Sequence, residues 1–126
     1  MTRYLTLQDV LGIHDIQLVQ FGGASGVRDL GQLEAALFRP QTGYYADVIQ
    51  QAAALWESLS QNHPFIDGNK RTAFASMHVF LLINGIGLNV TAQVSIPFVT
   101  GLYETQTFRF EAVEPWLRTH AVPFAL

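Results

Sequence analysis

Apolar residues recur at helical spacing through most of the chain, and no set of segments alternates convincingly as strands do. A first helix is predicted to begin after Thr6, where Asp9 completes a capping box. It ends at the glycine-rich segment 22–26, which we expect to be a mobile loop. A short second helix follows Asp29 and stops near Pro40. The pattern predicts an all-α fold.

Two longer helices are predicted in the middle of the chain. The first covers residues 47–62 and places five apolar residues on one face: Val48, Ala52, Leu55, Trp56 and Leu59. The second runs from Gly68 to Asn84 and ends at Gly85. Its residues 73–83 are apolar nearly all round, so we expect this helix to be central and buried. Between the second and third helices, residues 39–46 indicate a loop or a small flap.

The last third of the chain is less regular. Residues 86–91 are predicted as a short strand or an irregular turn. Two helices follow near residues 93–105 and 111–120, with Pro97 in the first turn of one. The count is therefore about six helices, which we expect to form one domain over residues 1–126.

Composition narrows the class of protein. Charged residues make up only 13%, and the mean hydropathy is +0.21, so the surface is poor in charge; a partner or a compact core could explain this. The net charge of −3 and the scattered arginines argue against direct nucleic-acid binding. Cysteine is absent, which excludes a disulfide framework and a thiol nucleophile. The apolar run Ala73–Ile83 is too short to cross a membrane, and we expect a cytoplasmic protein without a membrane partner.

The segment His63–Thr72 carries the most chemistry, because it lies where a loop turns into a long helix. The first N–H groups of such a helix lack partners and favour an anion, and Gly68 would let a phosphate approach the backbone. Asp67 is placed to hold Mg²⁺ beside that phosphate. His63 is a candidate proton acceptor for a reacting hydroxyl. Caps and solvated loop residues are the ordinary alternative for each residue alone.

Two adjacent cations strengthen the functional interpretation. Lys70 and Arg71 would add charge in the first turn of the helix, and Lys70 is the only lysine in the chain. Cations at a helix N-terminus oppose the helix dipole, so a simple cap would not need them. We expect the imidazole, the carboxylate and the two cations to converge on one pocket of triphosphate size.

The run from His63 to Arg71, His-Pro-Phe-Ile-Asp-Gly-Asn-Lys-Arg, resembles the signature of the Fic superfamily. The form of the motif with lysine at position 70 resembles the Doc branch of that family, which comprises the death-on-curing toxins of toxin–antitoxin pairs. Upstream segments resemble Doc proteins as well: Gly26–Asp29, Leu33–Leu37 and Arg39-Pro40. The resemblance covers residues 4–120 and implies a six-helix bundle.

That resemblance also implies an activity. Doc toxins transfer the γ-phosphate of ATP, with Mg²⁺, to a threonine of elongation factor Tu and so block translation, and a separate antitoxin inhibits them. Carried over, His63 would be the catalytic base, Asp67 the metal ligand, and Asn69, Lys70 and Arg71 the phosphate contacts, with Gly68 beside the nucleotide.

Two departures separate this chain from the AMP-transferring members of the family. Those members keep a glycine where Lys70 stands and a second arginine where Phe74 stands. Both departures favour a kinase. A Fic-type AMP transferase is the second hypothesis, and a catalytically inactive binding module for an antitoxin is the third.

The remaining histidines and the flap tyrosines are less informative. His14, His78 and His120 are too dispersed to form a zinc site, and we expect His78 to be a core histidine with a hydrogen-bond partner. Tyr44 and Tyr45 could hold a target segment at the flap or pack locally.

Overall fold

A computed structural model describes residues 1–125 and confirms the all-α class; Leu126, the last residue of the predicted domain, lies outside the described residues. Six α-helices occur within this range, and their bounds follow: α1 Leu7–Phe21, α2 Leu30–Phe38, α3 Val48–Asn62, α4 Asn69–Ile83, α5 Ala92–Glu104 and α6 Phe110–His120. A 3₁₀ turn over Arg39–Gln41 follows α2, and two short strands complete the fold: β1 Ile86–Leu88 and β2 Ala121–Pro123.

Side chains cap the first three helices, and the caps at Thr6 and Asp29 were predicted. Thr6 accepts from the N–H of Asp9, whose carboxylate accepts from the N–H of Thr6, so the capping box before α1 is confirmed. Asp29 caps α2 through the N–H of Gln32 at 3.1 Å. Asp47, which was predicted only as the approximate start of the helix, caps α3 through the N–H of Gln50 at 2.9 Å. These side chains satisfy N–H groups that the helices themselves leave without partners.

The core centres on α3, which packs against α2, α4 and α6. Its buried residues run almost without interruption from Gln51 to Ser60, and Trp56 is fully enclosed between Phe74, Phe108 and Trp116. Helix α4 was predicted to be the central one, but several of its apolar side chains are only partly buried. The small side chains of Ala52–Ala54 account for the difference, because they let neighbouring helices approach α3 on several sides.

The C-terminal third departs from prediction in two places. Strands β1 and β2 pair antiparallel, with Gly87 opposite Val122, so the short strand near residue 86 is confirmed while its partner was missed. Pro97 is the sixth residue of α5, not a first-turn residue. A proline there removes one intrahelical hydrogen bond, which packing of α5 on the core has to offset.

Hydrogen bonds of Arg39 hold the start of the segment 39–46, which follows α2. Arg39 donates to Glu57 at 2.6 Å and to the hydroxyl of Tyr45 at 2.7 Å. The other oxygen of Glu57 accepts from the N–H of Phe110 at 2.7 Å, in the place of a cap for α6. Tyr45 therefore packs locally, whereas Tyr44 is exposed.

None of the helices within residues 1–125 combines the length and apolar character that a membrane crossing requires. The imidazole of His78 is half-buried against Phe74 and makes no side-chain hydrogen bond with any described residue, which contradicts the predicted partner. Burial lowers the pKa of His78, because it disfavours the charged imidazolium.

Candidate active site

His63 ends α3 in the left-handed backbone conformation, with φ 46° and ψ 56°. That conformation costs a non-glycine residue about 1–3 kcal/mol and persists only where neighbours impose it. The neighbour is Arg28, whose guanidinium donates to the carbonyls of His63 and Asn62 at 2.7 and 2.8 Å. The imidazole is exposed. Strain at this position turns the chain sharply from α3 into the loop that carries the remaining site residues.

The segment Gly22–Asp29 braces that loop. An isolated bridge pairs Val27 with Phe65, and the N–H of Ile66 donates to the carbonyl of Gly26 at 3.1 Å. Gly26 has φ 119°, a backbone conformation that favours glycine, and a Cβ there would lie 2.8 Å from Ile66 Cδ1. Residues 22–26 of this segment were predicted to be a mobile loop. Its partner lies about forty residues away in the chain, which local composition does not reveal.

Asn69 has a structural task that the sequence did not indicate. Its side-chain oxygen accepts from the N–H of Phe65, and its amide nitrogen donates to the carbonyl of Phe65, both at 2.9 Å. The side chain is thus used to close the loop. Because both polar atoms of the side chain are already bonded, only the backbone N–H of Asn69 is left to make the predicted contact with phosphate.

The N-terminus of α4 is left without a side-chain cap. Gly68 occupies the N-cap position with φ 75°, a conformation suited to glycine, and the first intrahelical bond joins Thr72 N–H to its carbonyl at 3.0 Å. The N–H groups of Asn69, Lys70 and Arg71 have no acceptor in the described part of the chain. Together with the helix dipole, they form a site suited to an anion.

Asp67 lies directly beside these N–H groups. Its Oδ2 accepts from the N–H of Ala24 at 3.1 Å, and its Oδ1 accepts from the N–H of Gly68 at 2.8 Å. These two bonds, the first from Ala24, lower the pKa of Asp67, and the charge of Arg71 adds to the effect. The carboxylate is therefore ionised at neutral pH, and it is exposed, so each oxygen keeps a lone pair for a further ligand.

The two cations diverge onto aromatic rings. Lys70 Nζ lies 4.7 Å from the ring centre of Tyr103, and Arg71 Cζ lies 4.6 Å from that of Phe21. Such cation–π contacts hold a side chain only weakly when it is exposed. Both cations can therefore turn toward a ligand at modest cost.

Lys70 and Arg71 line a cavity of about 780 Å³ between α1, α4 and α5. Apolar side chains form most of its remaining wall: Phe21, Phe74, Ala75, Ile96, Val99 and Tyr103. His63, Asp67, Gly68 and Asn69 lie outside this lining. The single pocket expected from the sequence is thus divided into a cavity that holds the two cations and a loop edge that holds the base, the carboxylate and the free N–H groups.

Asp67 does not belong to a three-ligand cluster of side chains within the described part of the chain. Among residues 1–125, no three histidine, cysteine, aspartate or glutamate side chains are grouped closely enough for a metal site. A metal bound by Asp67 would take its other ligands from water and from substrate oxygens, as Mg²⁺ commonly does.

Sequence reasoning missed His14, which lies under the loop. The imidazole is only 3% exposed and stacks on the ring of Phe65, with centroids 3.8 Å apart. Its Nε2 lies 2.8 Å from the carbonyl oxygen of Asp67. One signal was available: His14 follows Val10 by four residues, so the polar residue shares the buried face of its helix.

The chain resembles known proteins over most of its length. A model of the Fic/DOC family matches residues 4–81, which is more than half of the chain although less than the span 4–120 judged from the sequence. The chain is 50% identical over 93 residues to a protein of Mycolicibacterium smegmatis named Toxin Doc, covering 70% of this chain and 69% of the relative. It is 31% identical over 88 residues to a protein of Escherichia phage P1 named Protein kinase doc, covering 67% and 70%. The chain belongs to the Fic/DOC family.

Proposed function

We propose that this protein is the toxin of a toxin–antitoxin pair and transfers the γ-phosphate of ATP to a hydroxyl group of a protein. The observation that carries the proposal is the uncapped start of α4, where three free N–H groups and two cations adjoin an ionised carboxylate. The names of two relatives, a toxin and a protein kinase, support it.

Phosphate binding follows from the start of α4. The N–H groups of Asn69, Lys70 and Arg71 point along the helix dipole and need an acceptor. Lys70 and Arg71 add two full charges, which neutralise the terminal phosphates of a nucleotide. The neighbouring cavity of about 780 Å³ is within the usual range for a small-molecule site and takes the rest of the nucleotide.

Asp67 fits the role of a Mg²⁺ ligand. Its carboxylate is ionised and exposed, and two backbone N–H groups fix its orientation while leaving lone pairs free. A bound Mg²⁺ would supply charge neutralisation at the phosphates. The contribution of Asp67 is to hold that charge next to the start of α4.

His63 is the proton acceptor in this proposal. The hydroxyl oxygen of the target forms a bond to the γ-phosphorus, the bond from that phosphorus to the bridging oxygen breaks, and ADP leaves. The hydroxyl proton passes to His63. The exposed imidazole lies at the edge of the loop, where a protein substrate has access to it.

Two side chains favour transfer of the terminal phosphate over transfer of AMP. Lys70 places a long side chain in the first turn of α4, where the AMP-transferring members keep a glycine. Phe74 is packed edge-on against Trp56 and lines the cavity, so it offers no charge to the far phosphates. A nucleotide bound with its γ-phosphate at the start of α4 does not need that charge.

The candidate target is a threonine of elongation factor Tu, whose modification would block translation. This choice rests on the resemblance to Doc toxins. The cognate antitoxin would be a second, separate chain that keeps the toxin inactive.

The test uses ATP labelled at either the α- or the γ-phosphorus, incubated with Mg²⁺ and elongation factor Tu. Label retained on the factor from γ only is the expected result. Label retained from α identifies an AMP transferase, and label from neither position leaves a binding module; both results contradict the proposal. The Asp67→Ala variant serves as the inactive control for background label.

A further inference from the structure

Within residues 1–125, His14 is the one buried histidine that contacts the loop His63–Gly68 from another helix. It lies on α1, and its ring is parallel to that of Phe65 within 7°. Its Nε2 reaches the carbonyl oxygen of Asp67 at 2.8 Å. No step of the proposed reaction uses it, since it is buried beneath the loop and does not face the substrate side.

The partner of His14 fixes its tautomer. A carbonyl oxygen has only lone pairs to offer, so Nε2 must carry the hydrogen and donate it. The stacked ring of Phe65 sets the plane of the imidazole, and the hydrogen bond sets its direction. The histidine therefore holds the loop in two ways at once, through a ring and through a backbone carbonyl.

That carbonyl belongs to the peptide group that joins Asp67 to Gly68. The group is planar, so its C=O and its N–H turn together. The N–H is the one that donates to Asp67 Oδ1 at 2.8 Å. By holding the carbonyl, His14 also holds the N–H that orients the carboxylate.

We propose that His14 is a positioning residue for the carboxylate of Asp67. It acts through the Asp67–Gly68 peptide and sets the angle at which Asp67 meets its metal ligand. This inference rests on the proposed function only for its effect on phosphate transfer. The effect on the peptide itself is a property of the chain alone.

Two substitutions separate the hydrogen bond from the packing. His14→Phe keeps an aromatic ring against Phe65 but removes the donor, while His14→Gln can restore a donor near the position of Nε2. His78→Phe is the matched control, because His78 is also partly buried beside a phenylalanine but makes no side-chain hydrogen bond with the described residues.

The first readout is the dependence of phosphate transfer on MgCl₂ concentration at fixed ATP. A misplaced carboxylate weakens metal binding, so the His14→Phe variant should need about tenfold more MgCl₂ for half-maximal rate. The His14→Gln variant should reverse part of that increase. His78→Phe should match the unmodified protein. A fall in rate with an unchanged MgCl₂ midpoint, and no rescue by glutamine, would mean that His14 is only a core residue.

The second readout needs no activity and applies to the unmodified protein first. Long-range ¹H–¹⁵N NMR should show the hydrogen of His14 on Nε2, and the amide signal of Gly68 should move or broaden in His14→Phe but not in His78→Phe. A hydrogen on Nδ1 in the unmodified protein overturns the inference, even if the variants do not fold. If no phosphate transfer occurs at all, the proposed function fails while this readout still decides the role of His14.

Discussion

The starts of α3 and α4 are built from similar residues for opposite purposes. At α3, Asp47 caps the helix through the N–H of Gln50 at 2.9 Å, and Arg118 pairs with the carboxylate at 3.1 Å. At α4, the N-cap is Gly68, and the preceding Asp67 turns away to accept from Ala24. The first N–H groups of α3 are therefore capped by a side chain, whereas those of α4 are not.

The charges follow the same division. The cation near α3 lies on another helix and pairs with two carboxylates, those of Asp47 and Glu114. The cations at α4, Lys70 and Arg71, lie in the first turn itself, where they oppose the helix dipole and lie over the rings of Tyr103 and Phe21. An arrangement that costs stability at the start of a helix is explained when an anion occupies that start.

The largest effect should come from the base that precedes the open start. His63→Asn removes the proton acceptor but keeps a residue that tolerates the left-handed conformation, so the fold should be retained. The rate of phosphate transfer should fall by about 10²–10⁴-fold. Rates measured with γ-labelled ATP check this, and a melting curve confirms folding. A folded variant with full activity would remove His63 from the mechanism.

Replacing Asp67 and replacing Asp47 should have opposite effects on activity and stability. Asp67→Ala should lower transfer by about a hundredfold or more, because the exposed carboxylate binds the metal, and should cost less stability than the loss of a helix cap, because its two hydrogen bonds are exposed to solvent. Asp47→Ala should do the reverse and cost about 0.5–2 kcal/mol of unfolding free energy, with activity kept.

Urea unfolding and transfer rates on both variants provide the measurement. Comparable losses of stability for the two, or a loss of activity for Asp47→Ala at a temperature where it is folded, would erase the distinction between the helix starts.

A smaller contrast is expected between the cations. Lys70→Met should raise the KM for ATP about tenfold, since it removes one charge-assisted contact to phosphate. Arg118→Met should leave that KM unchanged and cost at most about 1 kcal/mol of stability, because Arg118 and its partner Asp47 are exposed and its other partner, Glu114, is a neighbour on the same helix. Steady-state kinetics with varied ATP decide the matter, and equal KM values for both variants would contradict the assigned role of Lys70.

The smallest effect concerns pH. Hydrogen bonds from two N–H groups lower the pKa of Asp67 in the folded protein. Its ionisation therefore stabilises the folded state at pH values above the ordinary pKa of about 3.8, and this stabilisation is lost only as the pH falls through the lower pKa of the folded state. Burial opposes ionisation of Asp47, but hydrogen bonds from Arg118 and Gln50 outweigh it and lower its pKa too.

Carbon-13 NMR of the two carboxyl groups should therefore respond differently to Arg118→Met. The pKa of Asp47 should rise, and that of Asp67 should not move. A shift at Asp67 would indicate that long-range charge, not its two N–H partners, sets its ionisation.

The local features of the fold could be predicted from the sequence. The caps at Thr6 and Asp29 and the position of His63 to Arg71 between two helices depend on residues within a few positions of one another. The pairing of β2 with β1 could not be predicted, because three residues carry too weak a pattern without their partner.

The candidate site was predictable in its residues but not in its support. His14 lies 53 positions before Asp67, and Ala24 lies 43 before it, so only the folded chain reveals these contacts. Asn69 illustrates a different limit. An amide can bind a ligand or a backbone equally well, and its chemistry alone does not choose between them.

The central claim is that the start of α4 binds phosphate, and amide NMR with ATP and MgCl₂ tests it most directly. The N–H signals of Gly68 to Arg71 should shift as ATP is added, whereas those of Val48 to Gln50 at the capped start of α3 should keep their chemical shifts. Signals at α4 that do not move, or that move no more than those at α3 at saturating ATP, would contradict it.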